Sequence, residues 1–460
     1  MSADPIRDSA ASVGGASAIF SGTALPAPTP VQIVAPFTTA PQAEETIAID
    51  PNNFSRLSCA ISDFSSPGGV NRTKYGFSYG NGADGTWTEH FLPTDLNNKL
   101  VTTDGLKWDV NSDPFLTIGN NGQCYMLNIF FNGVTNPNDQ SNGLYMSRAN
   151  TLIGGPDPQF TQSFPIQVFP DPATQFFGDK PAIAIDNTTV PSTSAHPGSL
   201  YVSWTRFFGQ FQSRIRVSHS RDNGQTWSAP TALSPDDQVG LVQGSRVRVG
   251  PNGEVYVCWL VTVNAVTSQL WLVRSLDGGK TWRLPHKISP EFSSVYLGSS
   301  FRFNDFPAMV VDPVSGAIHV VYNDEASFSE GANVKYIRSV DGGVTFSAPI
   351  RINDVVGVAK HQFQPALHVD EAGHIFACWF DSRNSSNPQV LDVYMSMSTE
   401  TSPGVWRPNT RVTPSSFLCG TSRFIGDYMG IRSGGGFVHP IWNNGGFNGG
   451  VCQTTAIPIV

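Results

Sequence analysis

Carboxylates recur at one kind of place in this chain, just ahead of short apolar strands. Asp179-Lys180 precede Pro-Ala-Ile-Ala-Ile, Asp305 precedes Phe-Pro-Ala-Met-Val-Val, and Asp427-Tyr428 precede Met-Gly-Ile. Glu44-Glu45 and Asp113 are placed the same way, Arg246 and His361 lie at matching points of two other units, and Arg302 and Arg423 stand just ahead of Asp305 and Asp427. If those strands share an axis, the side chains meet. Two carboxyl groups across a cleft, one kept protonated by burial or by the other's charge, suffice to break a glycosidic bond. Asp179 and Asp305 are the leading pair for that chemistry and Asp427 the third acid, with Tyr428 as nucleophile or proton donor. Arg246, Arg302, Arg423, Lys180 and His361 suit the holding of an anionic sugar or the stabilisation of developing charge. No cofactor is required for such cleavage. The same acids have a second use: Asp113, Asp179, Asp305 and Asp427 could offer several of the roughly six to eight oxygens that a central Ca2+ takes. The plain alternative is that a channel mouth is simply wet and polar.

Residues so far apart in the chain need a repeated element to gather them. One is visible: an alternating apolar strand, a turn with Gly or Asp, and a second strand ending in a large side chain. PAIAID…LYVSW, RVRVGPNGEVYVCW, PAMVVDPVSGAIHVVY and PALHVDEAGHIFACW close on Trp204, Trp259, Tyr322 and Trp379. Trp442 closes a fifth copy, and Ile61 and Asn128 close two weaker ones. The seven markers lie about 64 residues apart on average, enough for one four-stranded sheet with loop insertions. Helical periodicity is almost absent. Units of this size repeated seven times predict an all-β, seven-bladed β-propeller of four-stranded antiparallel blades. The last unit is one strand short, so the N-terminal strand Val31–Val34 is expected to complete it and close the ring. Residues 1–30 read as a flexible Ser/Ala/Pro-rich leader and 31–460 as one propeller. Its blades are expected over 44–100, 105–170, 178–235, 243–292, 303–354, 361–414 and 423–460 with 31–38.

Composition removes several partners. The 28 Lys and Arg against 36 Asp and Glu give a net charge of −8, without the basic footprint of a nucleic-acid binder. No apolar run approaches the ~20 residues of a membrane-spanning helix. Six Cys in 460 residues are no disulfide scaffold, although Cys419 and Cys452 lie close enough in the last segment to be weighed as a pair. The N-terminal stretch lacks the charged start and apolar core of a signal peptide.

A second repeat follows the strand pairs: Ser-x-Asp-x-Gly-x-Thr-aromatic, at Ser220–Trp227, Ser275–Trp282 and Ser339–Phe346. Asp-x-Gly is a tight-turn signature, so Asp222, Asp277 and Asp341 read as structural turn residues and Trp227, Trp282 and Phe346 as packing ones. The motif resembles the Asp-box, or bacterial neuraminidase repeat, of sialidase-like β-propellers, with degenerate copies at Ser78–Trp87 and Ser398–Trp406. The resemblance implies a hairpin between the outer two strands of a blade, on the rim, and a superfamily of glycosidases, lectins and scaffolds. It also implies what a sialidase needs: three Arg, a Tyr nucleophile activated by Glu, and an Asp acid. The family's Arg-Ile-Pro signature is missing, with Asp179 and Asp305 standing where the Arg would be; GDYMGI around Tyr428 is similar to the segment bearing the sialidase Tyr. The expectation is a carbohydrate-active, glycosidase-like propeller acting outside the cell. A glycan-binding or scaffolding propeller and a divergent exo-sialidase are the alternatives.

Overall fold

Apolar runs buried on both faces need a neighbour on each side, and stacked sheets supply it. The computed structural model describes residues 16–17, 19–27, 35, 42–64, 70–80, 86–134, 136–155, 158–188, 194, 196–209, 212–264, 266–295, 304–327, 330–356, 359–419, 425–445 and 450–459. Seven sheets each begin with one of the runs read above: Gln42–Asp50, Val110–Ile118, Phe176–Ile185, Val242–Val249, Ala308–Val311, Gln362–Val369 and Gly430–Gly434. Each pairs antiparallel with the next strand in the chain, and the sheet grows outward in sequence order. These first strands pack on one another in turn, and Gln42–Asp50 also packs on Gly430–Gly434. The result is a seven-bladed β-propeller whose first strands surround the axis. Among the described residues the helical content is one 3-10 turn, Asp236–Gln238.

The markers that set the repeat have a common structural position. In blades one, two, three, four and six the inner strand slips register by one residue against its partner. The partner residue opposite each slip is Ile61, Asn128, Trp204, Trp259 or Trp379, each fully buried. The large side chain fills the space that the bulged inner strand leaves.

The three Ser-x-Asp turns are alike in geometry. Asp222 Oδ1 accepts from Ser220 Oγ (2.8 Å) and from the Thr226 amide (2.9 Å), while Thr226 Oγ1 donates to Oδ2 (2.6 Å). Asp277 with Ser275 and Thr281 shows the same distances, and Asp341 with Ser339 and Thr345 repeats the pattern. All three join the third and fourth strands of a blade, on the rim. Trp227, Trp282 and Phe346 pack against the neighbouring cores.

The expected closing strand Val31–Val34 lies outside the described residues. Among the described residues, the C-terminal segment pairs with the second strand of blade seven. Cys452–Thr454 pairs with Ile441–Asn443, and Ile457–Pro458 pairs with Phe437–Val438. The seam between blades seven and one is latched by Gln42. Its amide donates to Gly450 O (3.1 Å), its Oε1 accepts from the Cys452 amide (2.7 Å), and its carbonyl accepts from Asn443 Nδ2. Parts of the stretch read as a flexible leader are held by the propeller. Ala16–Ser17 adds a parallel strand to Ile350–Arg351 of blade five, and Ile19–Phe20 pairs with Val405–Trp406 of blade six. Leu25 is buried against blades six and seven, and its carbonyl accepts from Thr410 Oγ1 (2.7 Å). Cys419 and Cys452 are buried free thiols, like the other four Cys; they sit in separate core clusters, which keeps them from pairing.

Replacing Gln42 by Ala leaves the Cys452 amide buried without an acceptor, a loss of about 1–3 kcal/mol. Denaturant unfolding is expected to show that loss, with proteolysis starting near the blade-seven seam; an unchanged midpoint would mean that the latch carries nothing.

Candidate functional site

The inner-strand bulges place the polar residues. At each slip two residues face one, and the first takes a left-handed backbone: Glu44 (φ 63°), Asp113 (51°), Lys180 (49°), Gly244 (66°) and Gln364 (53°). A non-Gly residue there is uncommon and costs strain. The second residue is Pro at Pro114, Pro181 and Pro365, which lacks an N–H where the ladder offers no acceptor. The bulge turns the first side chain toward the axis, and so acids from separate blades converge.

Lys180 is their common partner. Its Nζ lies 3.1 Å from Asp113 Oδ2, 3.4 Å from Glu44 Oε1 and 3.9 Å from Asp179 Oδ1, and it pairs with Asp427 Oδ2. The side chains of Lys180, Glu44, Asp113 and Asp427 are at most 8% exposed, whereas Asp179 keeps 22%. Burial opposes the ammonium charge, but Asp113, Asp179, Glu44 and Asp427 together hold Lys180 well above the usual lysine range. Burial and the charge of Asp113 push Glu44 well up, with the hydrogen bond to Asp113 adding to the rise and Lys180 opposing it. Burial also works against Asp113, yet Lys180 and that hydrogen bond keep it below the usual range. Burial raises Asp179 to about 6, with Lys180 opposing and Asp113 and Asp427 adding to the rise.

The other expected site residues fall into three groups. Asp427 is fully enclosed, held by Lys180 and by Asn304 Nδ2. Tyr428 donates its hydroxyl to Pro114 O (2.9 Å), and burial with the Glu44 and Asp113 charges lifts its pKa well up. That is a packed phenol, poorly suited to the nucleophile role expected of it. Arg246 is buried, with its guanidinium over the rings of Phe115 (5.4 Å) and Tyr428 (5.5 Å). Lys180, expected to bind substrate, has its charge committed to four acids. Asp305 lies apart from Asp179, reached through Asn304, Asp427 and Lys180. It accepts from Asn323 Nδ2 (3.1 Å) and the Val295 amide (3.2 Å), and burial raises it to about 7. His361 is not brought to the cluster. Its Nδ1 accepts from the Ala332 amide (3.3 Å) and its own amide donates to Ser382 (2.9 Å), between blades five and six. Arg302 and Arg423 lie outside the described residues.

Several site residues escaped the sequence reading. Gln364, three residues beyond His361, is the group that blade six turns to the axis; its amide nitrogen donates to Gly426 O (3.2 Å). Asn304 was hidden beside Asp305, and Arg248 and Arg432 read as ordinary strand residues. A Pro one residue after Asp113, Lys180 and Gln364 was the available signal.

As for metals, of the four acids weighed for a Ca2+, Asp113, Asp179 and Asp427 surround Lys180 Nζ, with Glu44 beside them, and Asp305 lies apart. The described residues gather one further set of ligand types, Asp312, His319 and Glu400, within 4.8 Å of one another. His319 Nε2 lies 2.6 Å from Glu400 Oε1, its Nδ1 bonds the Tyr336 hydroxyl (2.7 Å), and Arg338 takes the other Glu400 oxygen. This is an ion-pair cluster tying blade five to blade six, with Arg338 as its fixed cation.

No family model matches this chain, and no curated protein is similar to it. Solved structures are similar over most of its length. A protein of unknown function from Dyadobacter fermentans is 12% identical over 97% of this chain and 98% of its own, with a TM-score of 0.47. The intramolecular trans-sialidase from Ruminococcus gnavus, in complex with oseltamivir carboxylate, is 11% identical over 92% and 96% (TM-score 0.43). The polysaccharide lyase Uly1 is 10% identical over 92% and 91% (TM-score 0.48). The propeller assignment itself rests on the seven sheets described above.

Lys180→Met leaves buried carboxylates without their cation and is expected to cost about 3–5 kcal/mol at neutral pH. The freed acids then have folded pKa values above their unfolded ones. Their penalty is absent below the unfolded carboxylate range and grows as pH rises through the raised values. Denaturation near about pH 4 and about pH 7.5 should therefore show the variant approaching wild type on the acid side; an equal loss at both would refute the ion-cluster account.

Proposed function

We propose that this propeller acts on a carbohydrate at the mouth where its inner strands begin, by general acid–base cleavage of a glycosidic bond. One observation carries the reading. Of the acids at the inner-strand starts, Glu44, Glu45, Asp113 and Asp427 are buried, and Asp179 and Asp305 alone retain partial exposure. Those two are also held at about 6 and about 7, near enough to neutrality for proton transfer in either direction. Asp305, the weaker acid, is the donor to the leaving oxygen. Asp179, kept the more acidic by Lys180, is the base. Lys180 acts by positioning and tuning Asp179 and does not touch the sugar.

The three rim turns support the Asp-box resemblance, and with it membership of the sialidase-like propellers. A true sialidase finds less support, because Asp179 and Asp305 would repel the substrate carboxylate and Tyr428 is a packed phenol. A glycan-binding propeller without catalysis remains the reading to be displaced.

Under this proposal kcat/KM against pH is a narrow bell, rising as Asp179 ionises near about 6 and falling as Asp305 loses its proton near about 7. Asp179→Asn should remove the acid limb and Asp305→Asn the alkaline limb, each lowering turnover by about 10²–10⁴-fold with little change in melting temperature. If the wild type binds members of a broad glycan panel and turns over none, the binding reading replaces this one.

A further inference from the structure

Next to the Lys180 cluster the channel gathers arginines. Arg246 and Arg248 project from the inner strand of blade four and Arg432 from that of blade seven, and all three line one cavity of about 40 Å³. Asp427 and Glu45 line it too, and burial raises Glu45 to about 8. Arg248 lies over Phe115 (5.9 Å), beside Arg246 over the same ring. The hydrogen bonds of Arg248 and Arg432 go to backbone carbonyls, Val247 O and Ile431 O (2.8 Å each). Among the described residues none of the three guanidinium groups has a carboxylate partner. Asp427, whose charge reaches Arg246, is committed to Lys180 and Asn304.

Like charges crowd here. Burial, then the neighbouring Arg432 and Arg246, pull Arg248 down to about 9. Burial, then Arg432 and Arg248, push the His368 imidazole well below its usual range. Arg246 is buried and Arg248 and Arg432 are half-buried; an arginine cannot relieve its desolvation by shedding a proton at ordinary pH, and a charge so placed without a partner is costly. What would relieve all three at once is a negative charge in the space they share. The cavity has room for about three water-sized particles, too few for a sugar ring. Asp427 and Tyr428 line it on the side of the Lys180 cluster.

We infer that the cavity binds one small inorganic anion of halide size, held by Arg246, Arg248 and Arg432 as a structural counter-ion. The proposal does not rest on the glycosidase reading. An anion bound only by the folded chain stabilises it by mass action.

The test uses the full chain with chloride as the probe, exchanged for gluconate at constant ionic strength. The melting temperature is expected to rise by about 1–2 °C for each tenfold increase in chloride above its dissociation constant. The 35Cl NMR line of the wild type should broaden, and bromide should reverse that broadening. Arg248→Met and Arg432→Leu should abolish the chloride response and melt no lower than wild type in gluconate, because each removes an unpaired charge. A wild type indifferent to chloride with no line broadening would overturn the proposal. So would variants that keep the full response, or stabilisation by phosphate and sulfate but not by chloride. If neither variant folds, the wild-type NMR line and its reversal by bromide still decide.

Discussion

One ammonium group governs the centre of this molecule. Lys180 gathers carboxylates from blades one, two, three and seven at a depth where water cannot screen them. Acids forced together in a poorly solvated space repel unless one takes a proton or a cation intervenes. Here Lys180 is the cation, and burial with the charge of Asp113 holds Glu44 well above the usual carboxylate range. The arrangement depends on backbone that most residues avoid: the left-handed bulge that aims Glu44, Asp113 and Lys180 inward. Bulge strain and buried charge are both costly, and the packing of five register slips against large buried side chains makes them tolerable. The same cluster plugs the axis and leaves only its outermost acid, Asp179, in touch with the mouth.

Two kinds of constraint hold the ring. On the rim, three near-identical turns satisfy their own amides locally, and each needs only a few neighbouring residues. At the seam the constraint is long-range, because Gln42 reaches residues near the far end of the chain through its backbone and its side chain. The N-terminal strap adds a third tie across blades five and six, away from the seam. Local turns therefore set the shape of single blades, while their closure into a circle rests on a few buried polar contacts.

The repeat was legible because it lives in side-chain chemistry that alternation exposes. Trp204, Trp259, Tyr322 and Trp379 mark the ends of runs, and Asp222, Asp277 and Asp341 mark turns whose hydrogen bonds are all local. The convergence of Asp113, Asp179, Lys180 and Asp427 followed from the same register. What stayed hidden depends on backbone sign or on distant partners. No propensity announces that Gln364 is left-handed, so the reading stopped three residues early, at His361. Nothing near Asp305 shows that Asn323 and the Val295 amide will enclose it on one side. Arg248 and Arg432 look like outward-facing strand residues until the ring brings blades four and seven together. The strap was missed because a Ser/Ala/Pro-rich segment has no alternation, and its pairing is supplied wholly by the edges it joins.

The placement of the acid layer and the arginine layer on one axis has an electrical consequence. Arg248 stands four residues beyond the bulge at Gly244 on the same strand, about 13 Å along it. Opposite charges stacked at that spacing make the pore a dipole aligned with the pseudo-sevenfold axis, fixed by the covalent order of each inner strand. The two sides of the Lys180 plug therefore favour solutes of opposite sign, and an ion drawn toward one side is turned away from the other.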